Sequence, residues 1–263
     1  MKITKVEILT NSKPIELPIP WRPAWSEPSG PHINSFNLSL YKVYTDQGIV
    51  GYGPNIGGNP ELIKNQDPFQ IRQFWSHHMG GKRAGNSGKR AAGLEIALWD
   101  IIGKVAKLPV SHLLGAKLQK IPVYAATSRL LDTKQQVEQV KSLIDLGFKD
   151  IKLRLHRSNS LDDLAMISAV RNAVGDQVKI LVDANQNNAS SSIGDEYEFW
   201  SRQTAMQMAT ELDQLDVFFL EEPLPRKDIE GLSRISNMVK MMVAGGEHTP
   251  TVSDFSPHLL AGA

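Results

Sequence analysis

From Ile121 onward the chain repeats one pattern: a short apolar run, then an amphipathic stretch, then another apolar run. The runs begin near Val123, Ile151, Val178, Val217 and Met241, at intervals of 28, 27, 39 and 24 residues. That is the spacing of successive strand–helix units. Helix signals fall between the runs. Asp132 with Gln135 has the form of a capping box, and Val137, Val140 and Ile144 make a stripe that Gly147 ends. Ser160 with Asp163 is expected to open the next helix, with Leu164, Ile167 and Val170 on its face and Gly175 after it. Parallel strands with helical returns leave two architectures, a doubly wound sheet or a (β/α)₈ barrel.

Residues 1–120 read differently, as α+β. Lys2 to Leu9 is a plausible strand. Ser35 to Tyr44 alternates, turns at Thr45-Asp46-Gln47-Gly48 and returns through Ile49 to Gly53, which predicts an antiparallel hairpin. Two helices follow. In the second, Leu94, Leu98, Ile101 and Val105 share a face and Pro109 stops it. The link from Pro14 to Pro31 carries six prolines, with Trp21, Arg22, Trp25 and His32 nearby. So stiff and aromatic a loop is either a lid over a site or an ordinary surface connection.

Composition narrows the chemistry. The 263 residues carry 29 basic and 28 acidic side chains, which gives no reason to expect nucleic acid or an anionic membrane as a partner. With no cysteine, disulfides and thiolate metal sites are excluded, and a metal would sit on oxygen or imidazole. The start lacks the apolar core of a signal peptide, and no apolar run approaches the roughly 20 residues that span a bilayer. A cytoplasmic location is the expectation.

The polar residues at the strand ends carry the functional reading. Alternation puts Lys152, Arg154 and His156 on one face of the second strand. The third strand ends in Asp183-Ala184-Asn185, the fourth in Glu221-Glu222-Pro223, and the fifth in Gly245-Gly246-Glu247. Barrel enzymes keep their chemistry at the C-terminal ends of the strands. Three converging carboxylates repel one another unless a cation joins them, and all-oxygen ligation favours Mg²⁺ or Mn²⁺. A hard metal beside a cationic strand suits a carboxylate substrate whose α-proton is removed. Each acid also has a plain reading: a cap for Asp183, a solvated pair for Glu221 and Glu222, an exposed Glu247.

In these residues the chain resembles the mandelate racemase/muconate lactonizing enzyme branch of the enolase superfamily, over essentially its whole length. The resemblance runs through Thr45-Asp46-x-Gly48-x-x-Gly51-x-Gly53, Ala97-Leu98-Trp99-Asp100-Ile101-x-Gly103-Lys104, Leu113-Leu114-Gly115 and Pro122-Val123-Tyr124. It continues in Lys152-x-Arg154, Asp183-Ala184-Asn185, Glu221-Glu222-Pro223 and Gly246-Glu247. It implies an α+β capping domain (1–120) followed by a (β/α) modified TIM barrel (121–263), of which about the first five βα units are present. It implies Asp183, Glu221 and Glu247 as Mg²⁺ ligands, Asn185 beside the metal, and Lys152 and Arg154 as catalytic residues. His156, Asn185, Trp25 and His32 are the expected substrate contacts, with the loops around Trp21 to His32 and Gly53 to Gly58 closing over the substrate. The implied reaction is Mg²⁺-dependent abstraction of the α-proton of a small carboxylate through a metal-stabilised enediolate. The expected form is dehydration of a sugar acid, with racemisation, epimerisation or cycloisomerisation as alternatives; a catalytically incomplete chain is a further alternative.

Two departures bear on this. Where many relatives carry a second lysine, this chain has Arg154, which stays protonated and suits holding charge better than accepting a proton. Lys152 could be a base if the adjacent Arg154 lowered its pKa. Pro54 stands where relatives often carry a glutamate. The chain is also expected to lack strands six to eight, and with them the opposite-face base. The resemblance further implies a homo-oligomer.

Overall fold

The computed structural model describes residues 1–26, 30–78, 85–116, 120–187, 198–247, 249 and 251–263, the side chains of 85–90 excepted. In chain order the strands are β1 (Ile3–Thr10), β2 (Ile15–Trp21), β3 (Ile33–Phe36), β4 (Ser39–Thr45), β5 (Val50–Pro54), β6 (Ala125–Ala126), β7 (Asp150–Arg154), β8 (Lys179–Asp183), β9 (Val217–Glu221) and β10 (Met242–Ala244). The helices are α1 (Ile71–His78), α2 (Gly85–Ala106), α3 (Val110–Leu113), α4 (Thr133–Asp145), α5 (Ser160–Val174), α6 (Arg202–Gln214), α7 (Ile229–Met238) and α8 (Val252–Ala261). They group into two compact units, one of residues 1–18 and 35–121, the other of 19–34 and 122–263.

The first unit is a three-stranded antiparallel sheet, order β1-β4-β5, with α2 against it. The predicted hairpin is present: Tyr41 pairs with Gly53 and Val43 with Gly51. Gly48 takes the turn at φ 76°, and Thr45 Oγ1 donates to Ile49 O at 2.8 Å. The run read as one strand from Ser35 is broken between β3 and β4. There the Leu38 N–H donates to Asn11 Oδ1 at 2.6 Å, and the Asn11 N–H to Leu38 O at 3.2 Å. These side-chain and turn bonds replace ladder bonds that a continuous strand would make.

Leu94, Leu98 and Ile101 of α2 are buried as their spacing predicts. The closeness of helix and strand comes from glycine. A Cβ on Gly53 would lie 2.0 Å from Gly93 O, and one on Gly51 would lie 2.3 Å from Ala97 O. Backbone meets backbone here, so only residues without a Cβ fit.

The second unit is built on five parallel strands in the order β10-β9-β8-β7-β6, each followed by a helix. The chain moves one strand over at each step, as a barrel does and a doubly wound sheet does not. The outward faces of β7, β8 and β9 bury Ile151, Leu153, Ile180, Val182 and Leu220 against α4, α5 and α6 residues such as Val140, Met166, Ile167, Met208 and Leu212.

Asp132 caps α4 as predicted, accepting from the Gln135 N–H at 2.9 Å. The cap of α5 is Asn159, accepting from Leu161 N–H, and not Ser160. Asp163, expected in that cap, is instead fully buried. It accepts the Arg157 N–H at 3.0 Å and pairs with the Arg157 guanidinium, which also donates to Leu131 O at 2.6 Å. A buried carboxylate gains more from a cation than from a helix start already capped by its neighbour.

Candidate active site

Strand register sets the site. Arg154 is level with Asp183, Asp183 with Glu221, and Glu221 with Ala244, so four parallel strands end in one row. Lys152 is two residues back on the same face, level with Leu181 of β8, which in turn is level with Phe219 of β9. Its side chain reaches up into the row. Lys152 Nζ lies 3.0 Å from Asp183 Oδ2 and 2.5 Å from Glu221 Oε2, and it is 5% exposed. The rings of Tyr124 and Phe219 flank the ammonium at 5.9 and 6.0 Å.

Arg154 completes the cluster. Its guanidinium pairs with Asp183, donates from Nε to Thr127 O at 3.2 Å, and lies over the Trp25 ring at 5.2 Å. Trp25 belongs to the proline-rich segment 19–34, which packs within the second unit. That segment is fastened by the Ala24 N–H to Ser128 O at 2.8 Å and by Trp21 Nε1 to Ser128 Oγ at 3.0 Å. Trp21 and Trp25 meet edge to face at 6.1 Å. At this end the segment is a pinned wall beside the carboxylates. Its residues 27–29 lie outside the described residues, and His32 is exposed near its far end.

Charge at the site follows from burial and from these pairs. Burial pushes the Lys152 ammonium down, but Asp183 and Glu221 together hold its pKa above the ordinary value while Arg154 opposes them. Arg154 does act to lower Lys152, but two facing carboxylates outweigh one neighbouring cation, so the condition under which Lys152 would be a base is not met. Burial, then the Asp183 charge, pushes Glu221 up against the pull of Lys152. Glu222 is pushed up to about 7, first by burial and then by Asp183, Glu247 and Glu221, although Asn187 Nδ2 donates to it at 2.8 Å. Sequence reading gave Glu222 only as half of a solvated pair. Its φ of 48° turns it inward, which no residue pattern announces.

Asn185 follows Asp183 at φ 52°, and its N–H donates to Asp183 Oδ1 at 3.0 Å. Its own Oδ1 is buried with no hydrogen-bond partner among the described residues. His156 is 1% exposed, its ring 6.3 Å from that of Phe199, and burial lowers its pKa to about 4. A surface role is therefore excluded for it, and its imidazole is neutral at pH 7. Glu247 stands three residues past the end of β10, beyond the positive-φ Gly246, and is exposed.

The structure thus gathers Lys152, Arg154, Asp183, Glu221 and Trp25, with Asn185 adjoining. Among the described residues, no group of three or more acids or histidines is arranged to hold a metal. The donor chemistry nevertheless fits a hard cation. Two carboxylates converge on one positive charge, and a buried amide oxygen beside them lacks a donor. A cavity of about 270 Å³ is lined by Glu222, Arg226, Val243, Phe255 and His258 among others, and by neither Asp183 nor Glu221. No helix among the described residues is long and apolar enough to cross a membrane.

Comparison with known proteins accords with this geometry. Residues 32–115 match the mandelate racemase/muconate lactonizing enzyme N-terminal domain, and residues 135–263 match the enolase C-terminal domain-like family. The chain is 30% identical over 223 residues to L-talarate/galactarate dehydratase of Salmonella typhimurium, a match covering 82% of this chain and 52% of that protein. It is 29% identical over 236 residues to arabinonate dehydratase of Saccharolobus solfataricus, covering 81% and 60%. The chain therefore spans little more than half the length of these curated relatives. A racemase from Streptomyces coelicolor A3(2), solved with bound magnesium, superposes at a TM-score of 0.80 with 25% identity, covering 99% of this chain and 73% of that one. Other relatives are named as epimerases, racemases and cycloisomerases. With its N-terminal α+β domain and its run of five parallel βα units, this chain belongs to the mandelate racemase/muconate lactonizing enzyme branch of the enolase superfamily.

Proposed function

We propose that the protein binds Mg²⁺ through Asp183 and Glu221, with Glu247 as the third ligand, and removes the α-proton of a small carboxylate. The substrate class we assign is a sugar acid, and the outcome is loss of its β-hydroxyl as water. The observation that carries this reading is the convergence of Asp183 and Glu221, level on adjacent strands, upon a single buried positive charge. Magnesium bound there supplies Lewis-acid neutralisation of carboxylate charge.

Arg154 and Lys152 bind and neutralise charge at the site, and the α-proton passes to a base outside this pair. Arg154 is held from three sides by Asp183, Thr127 O and the Trp25 ring, so its guanidinium is a fixed positive charge for the substrate carboxylate. It does not accept a proton at neutral pH. Lys152 adds a second positive charge from the layer beneath. With the second-strand position taken by arginine, a two-base proton transfer of the racemase kind is poorly served, which favours dehydration. The two dehydratase relatives, acting by their names on aldarates and an aldonate, support the substrate class.

The test is incubation with Mg²⁺ and a panel of aldonates and aldarates in D₂O. Formation of a 2-keto-3-deoxy product is expected, and its loss in Glu221→Gln. Solvent deuterium at Cα without loss of water would instead assign racemisation or epimerisation. Turnover undiminished in Glu221→Gln overturns the metal assignment.

A further inference from the structure

We infer that Lys152 is a built-in competitor of the metal: its ammonium occupies the place between Asp183 and Glu221 when no metal is bound, and metal binding must displace it. The inference rests on the metal reading given above and adds to it what holds the site together beforehand.

Three observations carry it. First, Lys152 Nζ contacts both proposed ligands at once, at 3.0 and 2.5 Å, so the oxygens that would turn toward a cation are already turned toward this one. Second, the ammonium is housed. It is 5% exposed, has the Tyr124 and Phe219 rings on its flanks, and rises from the layer directly below the carboxylate row. Third, the charges balance. Lys152 and Arg154 set two positive charges against Asp183 and Glu221, while without Lys152 a buried and a partly buried carboxylate would face one another with only Arg154, on the Asp183 side, to offset them.

A divalent ion entering this arrangement meets an ammonium within contact distance of both ligands. Two cations do not share that space, so binding of one weakens binding of the other. Displaced, the Lys152 ammonium remains on β7 beside the site, where it adds positive charge facing the substrate. Arg154, tied also to Thr127 O and Trp25, stays in place. Metal affinity is in this way set by a side chain that is itself no ligand.

The experiment is calorimetric titration of Mg²⁺ into the wild type, Lys152→Met and Lys152→Gln, with thermal unfolding of each with and without Mg²⁺. Removing the competitor is expected to tighten Mg²⁺ on the order of tenfold. It is also expected to lower the metal-free melting temperature and enlarge the upward shift that Mg²⁺ produces. Deleting a charge that acts only on the incoming ion leaves the metal-free protein's stability unchanged, whereas losing a contact made before the metal binds lowers it. Lys152→Gln keeps a hydrogen-bond donor and serves where the methionine variant fails to fold. Equal or weaker Mg²⁺ binding in both variants, or tighter binding with no loss of metal-free stability, overturns the inference and leaves the metal reading standing. No Mg²⁺ binding in any of the three proteins overturns both.

Discussion

The two units of this chain hold themselves together by opposite means. In the first, the buried side-chain hydroxyls are those of Thr45, which closes a turn, and Tyr41, which donates to Gly58 O at 2.9 Å, and no charged side chain is buried among the described residues. In the second, Lys152, His156, Asp163, Arg171, Asp183 and Glu222 are all buried. The first is limited by volume, with backbone pressed on backbone at Gly51, Gly53 and Gly93. The second is limited by charge, because each buried ion needs a partner in reach. Arg171 illustrates the requirement, donating to the carbonyls of Leu215, Gly175, Val178 and Asp216. A unit that buries so many charges sacrifices stability for a pre-arranged site.

The contrast is open to attack at both ends. The largest effect is expected from Gly53→Val, which drives a side chain into Gly93 O and should cost about 4 kcal/mol or prevent folding. Urea unfolding measures it; a loss below about 1 kcal/mol would mean that the α2–β5 contact yields and volume is not the limit. Next is Asp163→Ala, which strips the Arg157 guanidinium of its carboxylate, leaving it Leu131 O, and leaves the Arg157 N–H without its acceptor. A loss of about 3 kcal/mol is expected, with part of it recovered in the double variant Arg157→Met/Asp163→Leu. Recovery would show that the single loss comes from a stranded charge. No recovery would mean that packing alone is responsible.

The smallest effect is read with pH. Burial lowers His156 from 6.5 to about 4, so as pH falls the unfolded chain binds its proton first. The stability tied to the neutral imidazole is full above pH 6.5 and is lost between there and about 4. Denaturant midpoints across that window should therefore fall more steeply for the wild type than for His156→Gln. Parallel slopes would mean that the imidazole is not held neutral. Glu222, raised to about 7, acts in the other direction and loses its contribution as pH rises through 7.

Much of the second unit was legible in the sequence because strand periodicity and acids at strand ends are local signals. The runs near Ile151, Val178, Val217 and Met241 became β7 to β10, and Asp132 capped α4. What escaped depends on distant partners. That Asn159 takes the α5 cap frees Asp163 to meet Arg157, and neither choice is visible without the loop's path. That segment 19–34 lies with the second unit depends on Ser128, about a hundred residues away along the chain. In sequence, Lys152 is one of two cations bordering a metal site. Its place between two carboxylates follows from register, which the sequence does not print. Glu247 reads as level with Asp183 and Glu221, yet β10 leaves the ladder at Ala244 and the chain turns at Gly246 before reaching it.

The central claim is that Asp183 and Glu221 together form a seat for a divalent cation. Its most direct test is calorimetric titration of Mg²⁺ into the wild type and into Asp183→Asn, which keeps the shape and removes the charge. Saturable Mg²⁺ binding in the wild type and none in Asp183→Asn is the predicted result. Equal binding in the two proteins would contradict it, and the carboxylate row would then be an internal ion-pair network with no metal to hold.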